Sequence, residues 1–475
     1  MSTKFNAKQK SKNLTSAQLG HSDKFDEKSK LDNELTAINK QMNTSMGMPA
    51  IMQAISNNLR GELAKYDKKQ CDITTADCAL AALAVFLFKW PSLLKYETYK
   101  DYPRVKTNLE NLFKIKQAPC DTYIRTKLDA VKPDSFRPAY KELFSKLQRG
   151  KFLEQFTFYD GAYLLSVDGT QNFSSNNIHC NNCCQKHHKN GTITFHHNSV
   201  NAALTHPDVK QVIPFCPEEV QMQDGTEKND YESAASKRLL KKIRDEHPHL
   251  KLIVTYDALA ADAPMIKFLQ SLCMNFIITA KETDLPYIFS AFDKMPEEER
   301  QTYQYTDDKG VNHSFSFVVD LPINKTNEDV LVNLVKYSYI DKNGITRCFA
   351  WITDIDVTTN NVNKIMQGGR CRWKIENETH NVLKNQGYEY ERNYGHGQEN
   401  LCSVFTSLML LAFAIDQALE LGCKLYQEMR ILTKTYKSLW EDLRAAIKFF
   451  DINDWDMIYN IIINSSKPVE KARSP

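Results

Sequence analysis

Two aspartates, Asp168 and Asp257, each follow directly on a short apolar run, Tyr163-Leu-Leu-Ser-Val167 and Leu252-Ile-Val-Thr-Tyr256. In an α/β sheet the end of a strand is where rigid backbone gives way to loop, so a side chain there is held firmly and stays accessible. A third acidic group, Glu376, lies in the helical segment Arg372-Trp-Lys-Ile-Glu376-Asn-Glu378. Arg372, Glu376, His380 and Lys384 recur four residues apart, which makes one polar stripe on a helix, with Ile375, Thr379 and Val382 on the other side to pack on a sheet. Taken singly, an Asp-Gly after a strand is an ordinary turn and a charged stripe is an ordinary solvated face. Together, three carboxylates on two strands and a packed helix can hold two Mg²⁺ ions about 4 Å apart, with Mn²⁺ as a substitute. One ion would activate a water or a 3′-hydroxyl; the other would stabilise the leaving oxygen of an in-line displacement at phosphorus. Carboxylates suit Mg²⁺ because it is a hard cation that prefers oxygen ligands. Arg372, Lys374, Lys384 and, on the same stripe, His380 then have natural partners in DNA phosphates. Glu378 is a rival for Glu376, but two residues apart they point to different sides of the helix, so only one can face the aspartates.

A second cluster follows the first aspartate. Cys180, Cys183, Cys184, His187, His188, His196 and His197 fall within one short stretch. Cys-x-x-Cys followed by histidines is compatible with tetrahedral Zn²⁺, here through Cys180, Cys183, His187 and His196. Such an ion would staple the loop after the first catalytic strand. The alternative is a basic loop with reduced thiols and histidines that touch DNA. Tyr388, Tyr390 and Tyr394 can stack on bases near a cut end or pack in a core. Trp351 reads as core, and Trp373 is expected to pack behind the catalytic helix.

The elements that must position these groups can be followed along the chain. Residues 1–70 are polar, with scattered lysines, and read as a largely flexible N-terminal arm. Residues 71–160 carry apolar groups at helical spacing (Leu80, Leu83, Phe86, Leu87), broken at Trp90-Pro91. This Lys- and Arg-rich helical unit suits either the binding of a DNA end or the support of the next domain. Strands and helices alternate over 161–280, the first part of an α/β core. Residues 281–345 alternate in apolar and polar side chains, with turns at Asp307-Asp308 and Lys342-Asn-Gly344, and read as a β-rich insertion. Residues 346–400 return to the core with a strand and the catalytic helix, and 401–475 are helical.

The bulk composition bounds the function less tightly. At 475 residues the chain holds several structural units, and a net charge of only +3 does not by itself announce a nucleic-acid binder. The longest apolar stretch, Cys78 to Phe88, ends at Lys89, short of the roughly 20 residues a bilayer span needs. With no signal-like segment, a soluble, cytoplasmic protein is expected, and its twelve cysteines are expected to be reduced, with the cluster at 180–184 left open.

The segments Val167-Asp168-Gly169-Thr170, Tyr256-Asp257-Ala258-Leu259 and Arg372-Trp373-Lys374-Ile375-Glu376-Asn377 resemble the three catalytic blocks of bacterial insertion-sequence DDE transposases. They are most similar to the group with a β-rich insertion between the second Asp and the Glu. The resemblance extends over roughly residues 75 to 415. It includes Leu147-Gln-Arg-Gly-Lys151, His179-Cys180 with Cys183, the run Lys228 to Arg238, and Lys384-Asn-Gln-Gly-Tyr388 through Tyr394-Gly-His-Gly397. It implies an RNase H-like core, Mg²⁺-dependent cleavage at transposon ends, strand transfer into target DNA, and a homodimer pairing two double-stranded terminal inverted repeats. On that pattern Asp168, Asp257 and Glu376 are metal ligands and Arg372 contacts DNA. Two positions depart from the group's signature: Gly369 stands where it has a Tyr, and Leu383 where it has a Lys, with Lys384 one residue later.

Overall fold

The apolar run that begins at Tyr163 forms a strand, and one longer than its apolar part. In the computed structural model, which describes residues 46–222 and 228–467, β1 (Thr157–Tyr159) leads into β2 (Ala162–Ser175). Asp168 therefore does not end its strand, as the sequence suggested. Gly169, Thr170 and Gln171 look like turn residues, but each pairs with the antiparallel neighbour through Val200, Ser199 and Asn198. Next come β3 (Cys184–His187), β4 (Ile193–His206), β5 (Val209–Pro214), β6 (Glu218–Glu219), β7 (Leu252–Tyr256) and β8 (Asn275–Thr279). The segment read as an insertion supplies β9 (Gln301–Thr306), β10 (Asn312–Asn324) and β11 (Asn327–Ile340), and β12 (Thr346–Thr353) returns the chain beside β8.

Among the described residues all twelve strands belong to one mixed sheet. Its path runs β3-β4-β2-β7-β8-β12-β11-β10-β9, with β1 on β2, and β5 and β6 on the edge of β4. β2 pairs antiparallel with β4, whereas β7 pairs parallel with β2, and β8 with β7. The parallel strands are reached through the helices Lys228–Glu246 and Ala263–Ser271, the crossovers that parallel pairing demands. The β9–β11 meander continues this sheet instead of forming a separate body, because β12 pairs with both β8 and β11.

Side chains alternate between the two faces, as strand geometry requires. Leu164, Ile253 and Ile277 join one core cluster; Leu165, Val167, Val254, Phe276 and Ile278 join the other. The helix Val362–Cys371 covers the first face with Val362, Ile365 and Met366, alongside Trp351. It continues into a π-helical turn, Ile375–His380, and a last turn, Asn381–Asn385.

Residues 1–45 lie outside the described residues, but the rest of the expected arm is ordered. Met48–Leu63 is a helix whose Met48, Ile51, Met52, Ile55, Leu59 and Leu63 are buried at three- and four-residue spacing. This apolar period overrides the polar average of the segment. Further helices are Thr75–Leu87, Leu93–Tyr99, Pro103–Phe113, Asp121–Asp129 and Arg137–Arg149 before the sheet, and Leu401–Gly422, Lys424–Thr433, Tyr436–Phe449 and Trp455–Ser466 after it. The two sets pack on each other, Thr75–Leu87 against Leu401–Gly422 and Pro103–Phe113 against Tyr436–Phe449, so they form one helical body. Leu401–Gly422 is long and apolar enough to cross a bilayer by composition, but it is almost wholly buried in the protein as the centre of that body.

Candidate carboxylate site and a cysteine–histidine cluster

Register alone brings the two aspartates together. Ser166 of β2 is the last residue paired with β7, opposite Thr255. Their hydroxyls lie 2.9 Å apart, and Ser166 Oγ is also 2.8 Å from Thr205 Oγ1, so all three face one side of the sheet. Two residues further on, strand parity turns Asp168 and Asp257 to that same side, and the charge of Asp168 is felt at Asp257. β2 continues there without a β7 partner, while Asp257, still extended at φ −76° and ψ 179°, caps the short turn Ala258–Ala260 and accepts from Leu259 N at 3.0 Å. Burial pushes the Asp257 carboxyl above its ordinary range; the Leu259 amide pulls it down, the charge of Asp168 raises it further, and Arg372 lowers it.

The covering helix faces this pair with His380, not with a free acid. Asn201, the register partner of Asp168, donates through Nδ2 to His380 Nε2 at 3.0 Å. That leaves Nδ1 to carry the proton toward Asp168 Oδ2, 3.4 Å away. Glu376 is half-buried and pairs with Arg372, whose Nη1 lies 2.7 Å from its carboxylate but is not aligned for a hydrogen bond. Glu378 lies elsewhere, in a groove with Lys210, Asn381, Glu420 and Arg430. Of the two glutamates, Glu376 is thus the one held by the arginine whose charge reaches Asp257. A further carboxylate that the sequence reading missed, Glu232 of Lys228–Glu246, lies against Gly169: a Cβ there would come within 2.2 Å of its Oε1.

The expected DNA contacts fare unevenly. Arg372 is buried and stacks its guanidinium 4.9 Å from the ring of Trp373, which is exposed and not packed behind the helix. Lys374 donates to Val209 O at 2.6 Å, and Lys384 pairs with Glu391 at 2.8 Å. His380 is buried as a partner of Asp168, so it is not presented to a phosphate. Tyr388 is buried and donates to Asp416, while Tyr390 is bonded to Ser199 Oγ and Tyr394 donates to Trp90 O. These tyrosines belong to the core because the segment carrying them runs between the sheet and the helical body. Both departures from the signature have a packing reason. A Cβ on Gly369 would lie 2.3 Å from Trp351 Nε1, leaving no room for tyrosine, and Leu383 is fully buried.

The cysteine–histidine cluster is assembled from a different set than the sequence indicated. Among the described residues, Cys180, Cys183, His197 and His396 bring one ligand atom each to within 4.8 Å of the others. His187 is exposed on β3, and His196 alternates with His197 along β4, so it points to the opposite face. The parity of β4 was a usable signal for His197. No spacing rule leads to His396, which sits between two left-handed or extended glycines in the loop ahead of Leu401–Gly422. No disulfide joins any of the cysteines among the described residues.

No protein-family model matches this chain, and no curated protein does. Among solved structures, it is similar to a piggyBac transposase synaptic complex with hairpin DNA, seen by cryo-EM, over 87% of this chain and 86% of that one, at 11% identity and a TM-score of 0.30. A likeness of that size carries no inference about this chain.

Proposed function

We propose that the chain is a DNA transposase that cleaves at transposon ends and joins the freed strand to target DNA, using Asp168, Asp257 and Glu376. The observation that carries this proposal is the register that sets Asp168 and Asp257 side by side where β7 stops pairing with β2, beneath the helix bearing Glu376. The strand order β5-β4-β2-β7-β8, three antiparallel strands followed by two parallel ones, supports an RNase H-like core.

Carboxylate oxygens on rigid elements suit Mg²⁺ as a hard cation; Asp168 and Asp257 are the two that strand register brings together, and Glu376, held by Arg372, would have to turn from that pair to join them. Bound there, the metal would supply Lewis-acid polarisation and an activated oxygen nucleophile. The protein's own groups orient and balance the site. His380 fixes Asp168 through its Nδ1 proton, Arg372 holds Glu376, and Ser166 bonds to both Thr205 and Thr255 two residues before the aspartates. The remaining chemistry, including a dimer that pairs two ends, belongs to the same proposal.

The test is nicking of a plasmid carrying the DNA that flanks the gene, with Mg²⁺ present. Wild-type protein is expected to cut and to give joined products. Asp168→Asn, Asp257→Asn and Glu376→Gln should each lower cutting at least about a thousandfold, matching the several kcal/mol a catalytic metal contributes, while DNA binding persists. Wild-type cutting by any of the three removes that residue from the site. Hydrolysis without joining identifies an RNase H-like nuclease instead. A second reading, a DNA-binding regulator that performs no chemistry, is favoured by the engagement of Glu376 with Arg372, and binding without any cutting would establish it.

A further inference from the structure

The geometry points to a structural Zn²⁺ site formed by Cys180, Cys183, His197 and His396. This inference is independent of the carboxylate chemistry. A tetrahedral zinc with bonds of about 2.3 Å to sulfur and 2.0–2.1 Å to nitrogen requires edges of about 3.8 Å between two sulfurs and about 3.6 Å between sulfur and nitrogen. The sulfurs of Cys180 and Cys183 are 3.9 Å apart. His197 Nε2 lies 3.4 Å from Cys180 Sγ and 3.3 Å from Cys183 Sγ, and His396 Nε2 lies 3.2 Å from Cys183 Sγ. These four edges are thus close to those of a zinc tetrahedron, with the sulfur–nitrogen ones slightly short, and all four ligand atoms lie within 4.8 Å of one another. The sulfurs are far outside the roughly 2.05 Å of a disulfide.

Both histidines are oriented for metal. His197 Nδ1 is 2.8 Å from Glu219 Oε1, and His396 Nδ1 is 2.9 Å from Gly397 O. Each ring therefore donates its Nδ1 proton outward and turns its Nε2 to the cluster, the arrangement in which a carboxylate or carbonyl fixes a ligand imidazole. Phe173 closes one side, its ring 4.5 Å from that of His396. Two thiolates and two imidazoles with no open position suit zinc in a closed, structural role, not a catalytic one.

The four ligands come from three segments: the loop between β2 and β3, strand β4, and the loop before Leu401–Gly422. The last is also pinned by Asp129, which accepts from the backbone N–H groups of Gln398, Glu399, Asn400 and Leu401 at 2.9–3.0 Å. Zinc would therefore tie the strand carrying Asp168, and the strand beside it, to the central helix of the helical body.

The measurement is metal content of protein purified without a histidine tag from zinc-supplemented medium. About one zinc per chain is expected, together with tetrahedral-type visible absorption and thiolate charge transfer after chelation and reloading with Co²⁺. Cys183→Ser and His396→Ala should lose the metal, and His187→Ala and His196→Ala should keep it. Glu219→Gln should bind zinc about 10–100-fold more weakly. Absence of stoichiometric zinc in the wild type, its retention in His396→Ala, or a Cys180–Cys183 disulfide in the isolated protein overturns the assignment. Where a ligand variant does not fold, the Co²⁺ spectrum of the wild type decides.

Discussion

Asp257 is held in a place that its charged form resists. Burial disfavours the carboxylate first, and the neighbouring Asp168 adds like-charge repulsion that Arg372 only partly offsets. A folded-state pKa raised above the unfolded value means that the protonated acid suits the fold. Its contribution to stability is complete below the unfolded carboxylate range and is lost as pH rises through the raised value. Metal-free Asp257→Asn protein is therefore expected to melt at a higher temperature than the wild type at neutral pH, with the gap closing toward low pH. Calorimetry in a chelator checks this, and equal melting temperatures at neutral pH would mean that Asp257 ionises without strain. His380 shows where residue-scale reading from sequence stops. Its place on the polar stripe was visible, but its burial and its bond to Asn201 depend on β4, more than 150 positions away in sequence. For the same reason the proposed zinc site was half legible: the Cys-x-x-Cys pair is local, whereas His396 is brought in by the fold.

Among the helices the strongest commitment is the buried pair of Lys89 and Asp416. Lys89 follows Thr75–Leu87 in a left-handed conformation, and its ammonium is fully buried against Asp416 of Leu401–Gly422. It also donates to Leu87 O at 3.2 Å and lies 4.3 Å and 4.1 Å from the rings of Tyr388 and Trp440. Tyr388 donates to the same carboxylate, as does Tyr426 at 3.3 Å. Removing one partner of such a pair strands a buried charge, so Asp416→Ala should lower unfolding stability by about 3–5 kcal/mol. The double variant Lys89→Met with Asp416→Leu should recover most of that in denaturant titrations; a double variant no better than the single one would show that the tyrosines, not the charges, dominate. At this scale the sequence was informative wherever apolar periods were long. The core helix at 75–87, the apolar runs leading up to Asp168 and Asp257, and the β-rich stretch after 280 all carry such periods. It misled where a short polar stretch was structured by its neighbours, as in the second half of β2 and the helix Met48–Leu63. A tyrosine-rich segment such as 388–394 has no local mark that separates a base-stacking surface from a core.

The described residues form one extended sheet with a helical body built from both of their ends, and stability should depend on pH at the junction of the two. His247, just beyond Lys228–Glu246, packs its ring 4.3 Å from that of Phe144 on Arg137–Arg149 and 5.5 Å from that of Phe215 after β5. Its Nε2 is buried without a hydrogen-bond partner. Burial, followed by the positive charges of Lys141, Arg137 and Arg244, depresses its pKa from 6.5 to about 4. The unfolded chain therefore takes up this proton near pH 6.5, while the folded one keeps a neutral ring until about pH 4. The contribution is fully present above the unfolded value and is lost as the pH falls toward the folded one. Wild-type protein should thus lose stability between about pH 6.5 and pH 4 beyond what its carboxylates account for. His247→Phe conserves the aromatic packing and removes the titration, so its melting temperature should fall less steeply across that window. Parallel curves for the two proteins from pH 7 to pH 4 would show that the junction tolerates a protonated ring and that acid sensitivity arises elsewhere.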